Sequence, residues 1–245
     1  MSDDPTNLAC TDGSNEPTVT ARIVLTPELL QRMAPHTPAE LLEARTPCLQ
    51  RMLDESDCAT PIRAAVILAR VITETLGFYL VREQPSPASG PHFEAYVGRM
   101  GNRTLAEAQA TRGDGFLELT GEDNFHAYTA WSQARGLPVD FAAHPELVLD
   151  LRYLGLESAF YIVSHPGLIA AADAGDVDCA STWVNAGESK DIWTVKHGGL
   201  LDATEAAALN KANGWEPGDR LRKHGIWGLN ETRLHFQLTK RVLGI

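Results

Sequence analysis

A long apolar helix is the feature that most constrains the fold, because residues 60–83 run TPIRAAVILARVITETLGFYLVRE. Thr60 and Pro61 form a helix start, since a threonine side chain caps free amides and proline is favoured in the first turn. The apolar residues that follow recur at helical spacing and also fill most of the remaining circumference. This pattern predicts a central helix that is packed on nearly all sides. The apolar run breaks at Glu74, and Glu83 follows nine residues later.

The spacing of these two glutamates requires a turn between them. Nine residues on one continuous helix rotate by about 900°, which points Glu74 and Glu83 in opposite directions. Gly77 lies in the interval and accepts the positive φ that closes many helices. We therefore expect the chain to bend near Gly77, so that the two carboxylates face one cleft.

Composition and charge exclude several classes of protein. The chain has 245 residues, of which 44% are hydrophobic, so we predict one domain over residues 21–245. Residues 1–20 are polar and predict a disordered tail. The net charge of −11 argues against a nucleic-acid partner. No segment approaches the roughly 18 apolar residues of a membrane span, and the first residues do not resemble a signal peptide.

The cysteines and histidines do not form a metal-binding pattern. The four cysteines are scattered without a C-x-x-C pair, so we expect neither a zinc site nor any cofactor. Most of them are predicted to be buried free thiols, with a disulfide between Cys48 and Cys58 as the alternative. The eight histidines show no H-E-x-x-H spacing.

The remaining pattern predicts a mainly α fold of about eight to ten helices with a very small β-element beside the cleft. The run FLELT at 116–120 is the strand-like segment, and residues 84–102 form a long Pro- and Gly-rich loop of the kind that is often functional. Further helices are expected to begin at Pro27 and Pro38, to follow Gly121, and to cover 145–162, 166–174, 176–186, 202–213 and 228–243.

Four segments resemble, in the same order, glycoside hydrolase family 19, the family of chitinases and phage endolysins. They are LTPELLQRMAPHTPAE at 25–40, ILARVITETLGFYLVRE at 67–83, AYVGRMGN at 95–102 with RGDGFLELTGEDNF at 112–125, and Val184-Asn185-Ala186-Gly187. Together they cover about residues 22–245. The resemblance implies a lysozyme-like single domain that acts as a glycosidase.

The resemblance also implies a role for each matching residue. Glu74 takes the place of the general acid, and burial would favour its protonated form. Glu83 takes the place of the general base, and Thr120 that of a hydroxyl that holds the attacking water. Such an inverting pair needs carboxyls about 6.5–9.5 Å apart. Substrate contacts are implied for Tyr96, Arg99, Asn102, Glu118, Asn124 and Asn185.

The chain departs from the family pattern at several of these positions. Thr73 replaces a histidine, Leu76 replaces a glycine, and Asp114 and Glu118 replace an arginine and a glutamine. Two extra carboxylates near a site that must keep one acid protonated would shift its titration. Glu94 is an alternative to Glu83 as the second carboxylate.

For some of these residues, a purely structural role is the alternative to a role in the site. Thr120 is equally expected as a helix N-cap, and Asn185 as a turn residue. Of the five tryptophans, Trp193 and Trp215 are the expected cleft residues, whereas the other three are expected in the core.

Three functions follow from the resemblance. The first is a lysozyme-like hydrolase of peptidoglycan, either an endolysin released through a holin or a secreted antibacterial effector. Either protein would be made in the cytoplasm without a signal peptide and would act in the periplasm or at the cell wall. An immunity protein would bind the cleft of an effector. The second function is a chitinase. The third is a degenerate module that binds a glycan or a partner without turnover.

Overall fold

The computed structural model describes residues 21–86, 88–219 and 222–245, and these residues are mainly helical, as predicted. The described residues contain eleven α-helices and two 3₁₀ helices, slightly more than expected. The α-helices are α1 (Pro27–Met33), α2 (Ala39–Glu55), α3 (Pro61–Glu74), α4 (Leu105–Ala110), α5 (Glu122–Gln133), α6 (Leu156–Ser164), α7 (Pro166–Asp173), α8 (Val177–Ala186), α9 (Lys190–His197), α10 (Ala203–Asn213) and α11 (Leu229–Leu243). The 3₁₀ helices are Glu94–Tyr96 and Pro145–Leu149. The predicted tail at 1–20 and Cys10 lie outside the described residues.

Helix α3 is the central helix that the sequence predicts. Every residue from Ala64 to Thr73 is buried, and α3 packs along α11 and against α7 and α8. Each fully buried aliphatic side chain contributes about 1.5–3 kcal/mol, so α3 is a large part of the core. None of the helices in the described part of the chain has both the length and the hydropathy of a membrane span.

The chain bends directly after α3, as predicted from Gly77. Helix α3 ends at Glu74, and Leu76, Gly77 and Phe78 all have left-handed backbones, with φ of 50°, 81° and 66°. The carbonyl of Gly77 accepts a 2.5 Å hydrogen bond from Oγ1 of Thr37. This contact fixes the bend against the turn between α1 and α2.

The β-element is smaller than expected, and the predicted strand at 116–120 is wrong. Among the described residues, this segment forms single antiparallel bridges, from Asp114 to Arg82 on one side and to Leu119 on the other. Between the bridges the chain makes a tight turn, because α6 takes the backbone N–H groups that a partner strand would need. The N–H of Phe116 donates to the Glu157 carboxylate at 3.1 Å, and the next N–H donates to a serine hydroxyl of α6.

Other departures also reflect contacts between distant residues. The continuous helix expected over 145–162 is divided, because Gly155 has φ of 94° and packs against the backbone of α2. Helix α4 was not predicted, although Thr104 and Glu107 form a capping box at its start. Helix α9 was not predicted either. The cysteines within the described ranges are free thiols, so the alternative disulfide does not form.

Two hydrophobic clusters flank the β-element. The larger one surrounds α3, and the smaller one is centred on the aromatic residues of α5 and α6. Phe116 and Leu117 belong to the larger cluster, and Leu119 belongs to the smaller one. The short segment that carries Glu118 is therefore anchored in both clusters.

Candidate active site

Glu83 is held by donors that suit an ionised carboxylate. The Tyr96 hydroxyl donates to Oε1 of Glu83 at 2.8 Å, and the N–H of Gly113 donates to Oε2 at 3.1 Å. Burial and the neighbouring Glu83 charge both raise the pKa of Tyr96, which keeps the phenol a donor. Glu83 also lines a cavity of about 300 Å³ with Arg112 and the loop around Phe93. Its carboxylate is thus both fixed and accessible.

Glu118 lies beside Glu83, across Gly113. A Cβ atom placed on Gly113 would lie 2.9 Å from Cβ of Glu118 and 3.2 Å from Cβ of Glu83. Burial, followed by the negative charge of Glu83, raises the pKa of Glu118 to about 7. Its side chain makes none of the hydrogen bonds or ion pairs found among the described residues. The sequence predicts a substrate contact here, and the structure adds a carboxyl whose pKa lies close to neutral pH.

Glu74 ends α3 with its side chain 9% exposed, and it forms an ion pair with Arg70 one turn earlier. Nη1 of Arg70 donates to the Trp227 carbonyl at 3.0 Å and to Oγ1 of Thr232 at 3.1 Å. Burial lowers the pKa of Arg70 to about 9, so the guanidinium is still charged at neutral pH. Glu74 is thus paired with a cation in the free chain, and its role as general acid stays a prediction.

These charged groups form one electrostatic cluster. The charge of Arg70 lowers the pKa of Glu118, while the charge of Glu83 raises it. Arg70 therefore acts on Glu118 as well as on Glu74, and Glu118 acts as the link to Glu83. That the bend after α3 turns Glu74 and Glu83 towards one cleft, with a single water between them, stays a prediction.

Arg82 and Asp114 form an ion pair next to these charged groups. Nε and Nη2 of Arg82 donate to the two oxygens of Asp114 at 2.7 and 2.8 Å. Burial raises the pKa of Asp114, and the Arg82 guanidinium opposes that rise. The pair neutralises one of the two extra carboxylates and fixes the bridge that precedes Glu83.

Thr120 and Asn124 stabilise the backbone that carries Glu118. Oγ1 of Thr120 donates to the Glu118 carbonyl at 2.7 Å, and Nδ2 of Asn124 donates to the Thr120 carbonyl at 2.7 Å. The N-cap alternative for Thr120 is wrong, because the N-cap of α5 is Gly121 and no side chain caps that helix. Asn124 is exposed, so its predicted substrate contact stays a prediction.

Asn102 requires a correction. A substrate contact is expected for its side chain, but the residue is only 1% exposed. Its Oδ1 accepts hydrogen bonds from the Thr111 hydroxyl and the Glu122 N–H, at 2.8 and 3.2 Å. Asn102 therefore joins the loop to Thr111 and to the start of α5, and its side chain is buried in these contacts.

The other predicted contacts lie at the surface. Arg99 is exposed on the loop, and Asn185 is exposed on the last turn of α8, where it donates to the Ser181 carbonyl at 3.2 Å. Glu94 is exposed, and its carboxylate accepts the N–H of His92 at 3.0 Å, so backbone amides lower its pKa. Tyr96 of the same 3₁₀ helix contacts Glu83, whereas Glu94 is engaged by its own loop.

Comparison with known proteins finds distant structural likeness. No protein-family model matches the chain. Chitinase C from Streptomyces griseus HUT6037 is 18% identical with a TM-score of 0.49, and the match covers 90% of this chain and 93% of that one. A structure of a bacterial family 19 chitinase is also 18% identical with a TM-score of 0.49, and the match covers 91% of this chain and 96% of that one. Both structures are therefore distant likenesses of this chain.

Sequence reasoning missed two residues that shape the site. Arg70 lies within an otherwise apolar stretch, so the sequence predicts no special role for it. Its i,i+4 spacing from Glu74 is nevertheless the usual signal of a helical ion pair. Trp227 was expected in the core, but it is 49% exposed. Its position after Gly225 offers no periodic pattern that would place it. Within the described ranges, no group of three or more His, Cys, Asp or Glu side chains is arranged to hold a metal.

Proposed function

We propose that the protein is a glycoside hydrolase that cleaves the β-1,4-linked glycan of peptidoglycan by acid–base catalysis. The observation that carries this proposal is the pair of glutamates on either side of Gly113. Glu83 accepts two hydrogen bonds that suit a carboxylate, while the pKa of Glu118 is raised to about 7. Most glycosidases hydrolyse their substrate with two neighbouring carboxyls whose environments differ.

Glu83 is the proposed general base. Tyr96 and Gly113 use only some of the lone pairs of the Glu83 carboxylate. The remaining lone pairs can accept a hydrogen bond from a water molecule. Base catalysis needs an ionised carboxylate within hydrogen-bond reach of that water. The accessible cavity beside Glu83 supports this role.

Glu74 is the proposed general acid, by its position in the family pattern. In the free protein it is paired with Arg70, so it must leave that pair and take up a proton when the substrate binds. Removal of water by a bound sugar would favour the neutral form. Glu118 is a second candidate for the acid, because it already has a raised pKa and lies beside Glu83.

Matched substitutions separate the two candidates. We would measure clearing of purified peptidoglycan and of chitin by the unchanged protein, Glu74→Gln and Glu118→Gln. If Glu74 is the acid, Glu74→Gln loses at least about 100-fold in rate, whereas Glu118→Gln remains active with a shifted pH profile. The reverse pattern assigns the acid to Glu118. If the unchanged protein clears neither polymer, the hydrolase proposal fails and the binding module replaces it.

Peptidoglycan is proposed over chitin because residues 25–40 and the nine-residue spacing of Glu74 and Glu83 resemble the bacterial and phage members of the family, whereas its plant-type chitinases carry longer loops. Chitin remains the alternative substrate. Such an enzyme would act at the cell wall after release by a holin or delivery as an antibacterial effector, which an immunity protein would neutralise. Directing the protein to the periplasm of a test bacterium is expected to cause lysis that Glu83→Gln abolishes. Clearing of chitin alone would contradict the choice of peptidoglycan.

A further inference from the structure

Glu157 is a buried carboxyl that lies outside the proposed acid–base pair. It belongs to the first turn of α6, and it is 0% exposed. None of the ion pairs found among the described residues includes it. A buried carboxylate without a cation is costly unless hydrogen bonds compensate for the lost water. The hydrogen bonds of Glu157 are therefore what holds it in the core.

Three donors surround the Glu157 carboxylate. The N–H of Phe116 donates to Oε1 at 3.1 Å, and the Ser158 hydroxyl donates to the same oxygen at 2.7 Å. The N–H of Gly155 donates to Oε2 at 2.7 Å. Burial raises the pKa of Glu157 to about 7, and these bonds oppose that rise. An ionised carboxylate suits all three donors, because it carries only acceptor lone pairs.

The same carboxylate supports the turn at 115–118. Gly115 packs directly on it, because a Cβ at this position would overlap Oε1 of Glu157. The N–H of Leu117 donates to Oγ of Ser158 at 3.0 Å, and Ser158 in turn donates to Glu157. Successive residues of the turn are thus fixed to the start of α6, either directly or through one serine.

The orientation of Glu118 depends on these contacts. Its backbone is left-handed, and its Cβ lies close to that of Glu83 across Gly113. A strained backbone of this kind persists only where the surrounding structure requires it. We propose that Glu157 is a positioning residue, which holds the turn at 115–118 so that Glu118 faces Glu83. The inference rests on the proposed function only for the use of Glu118 in hydrolysis.

Glu157→Gln tests the arrangement of donors, because it keeps the shape of the side chain. The amide nitrogen must replace one of the two oxygens, and at either place it faces a backbone N–H that then has no acceptor. We expect the turn to loosen, so that Glu118 becomes hydrated and moves away from Glu83. The pKa of Glu118 should then fall from about 7 towards its ordinary value of 4.5.

The measurement is an NMR titration of the full chain with carbon-13 in its glutamate carboxyls. The signal of Glu118 is assigned by its absence from Glu118→Gln. This readout does not require activity, and a residue that only stabilises the fold would not change it. In a polymer-clearing assay, Glu157→Gln should also be slower by about tenfold or more, because small displacements in an active site have large effects on rate.

Ser158→Ala provides a second test that leaves Glu157 in place, and it decides the question where Glu157→Gln does not fold. It removes the acceptor of the Leu117 N–H, so the pKa of Glu118 should fall by a smaller amount. Ser56→Ala is the matched control. Ser56 is also 1% exposed and its hydroxyl also donates, at 2.7 Å to the Met52 carbonyl, but the hydrogen bonds of this hydroxyl stay within α2. Ser56→Ala should leave the pKa of Glu118 unchanged.

A folded Glu157→Gln protein in which Glu118 titrates as in the unchanged protein would overturn the proposal. A pKa of Glu118 near 4.5 in the unchanged protein would also overturn it, as would a changed pKa with an unchanged rate of clearing. The two proposals fail separately. Clearing by the unchanged protein without a change in the pKa of Glu118 refutes the positioning role alone. A changed pKa in a chain that clears neither polymer refutes the hydrolase proposal alone.

Discussion

Glu118 shows how two neighbouring carboxyls acquire different properties. Its backbone is left-handed, with φ of 53°, which costs a non-glycine residue about 1–2 kcal/mol. Such strain persists where the surrounding structure requires it and is concentrated at functional sites. Here the bonds from α6 to the preceding residues fix the turn. The turn directs Glu118 towards Glu83 instead of towards solvent.

The raised pKa of Glu118 makes stability depend on pH. A carboxyl whose pKa is higher in the folded state stabilises the protein below its unfolded value, near 4.5, and this contribution is lost as the pH rises through about 7. Glutamine does not titrate, so Glu118→Gln should lose less unfolding free energy over this pH range. We expect the difference from the unchanged protein to be at most about 3 kcal/mol. Urea unfolding between about pH 4 and pH 8 measures the difference.

The stability of Glu118→Gln should still decrease as the pH rises, because a second buried carboxyl titrates in the same range. Burial also raises the pKa of Glu157 to about 7, so the same pH window applies to it. The variant should therefore show a smaller decrease in stability with pH, but not a flat profile. Identical pH dependence of the two proteins would refute the burial of Glu118.

At the scale of elements, the end of α3 determines whether the site forms. A Cβ on Gly77 would lie 3.1 Å from Oγ1 of Thr37, at a backbone φ that already disfavours side chains. We expect Gly77→Ala to lose about 1–2 kcal/mol of unfolding free energy and to lower the rate of polymer clearing. Chemical unfolding and turbidity assays measure the two effects.

Gly136 provides a control for the backbone effect alone. Its φ is 83°, and a Cβ there would meet nothing within 4 Å. Gly136→Ala should lose a similar stability with no change in clearing. A Gly77→Ala protein as active as Gly136→Ala would show that the bend does not position the glutamates.

The bridge between Arg82 and Asp114 is the second element that holds the site. Arg82→Ala leaves the fully buried Asp114 carboxylate without its partner, so we expect a loss of about 3 kcal/mol. Adding Asp114→Ala should cost less than the sum of the single changes, because the unpaired charge is then absent. Arg103→Ala, in an exposed pair, should have little effect. Additive losses at Arg82 and Asp114 in urea unfolding would contradict the coupling.

At the scale of the whole molecule, the sequence predicts what depends on neighbouring residues and misses what depends on distant ones. The burial of α3, its end at Glu74 and the bend at Gly77 follow from local periodicity and a single glycine. The ion pair of Arg70 with Glu74 is also local and was overlooked. The turn at 115–118 is different, because Glu157 satisfies its backbone from about 40 residues away. No local pattern contains that information.

The residues of the candidate site also divide into those that the local sequence predicts and those that depend on distant contacts. Glu74, Glu83 and Tyr96 could be named from the sequence because they lie in segments with a family pattern. The burial of Asn102 and the raised pKa of Glu118 depend on packing between two hydrophobic clusters. A cavity beside Trp227 depends on four separate segments meeting, which no window of sequence describes.

The rate of polymer clearing by Glu83→Gln tests the central claim most directly, on whichever polymer the unchanged protein cleaves. A glutamine keeps the shape of the side chain, and its amide oxygen can accept from the Gly113 N–H while its amide nitrogen donates to the Tyr96 hydroxyl. It cannot take a proton from water, so the fold should persist without the base, and circular dichroism checks the fold. The account predicts a rate at least about 100-fold lower. A folded Glu83→Gln protein with a rate close to that of the unchanged protein would contradict it.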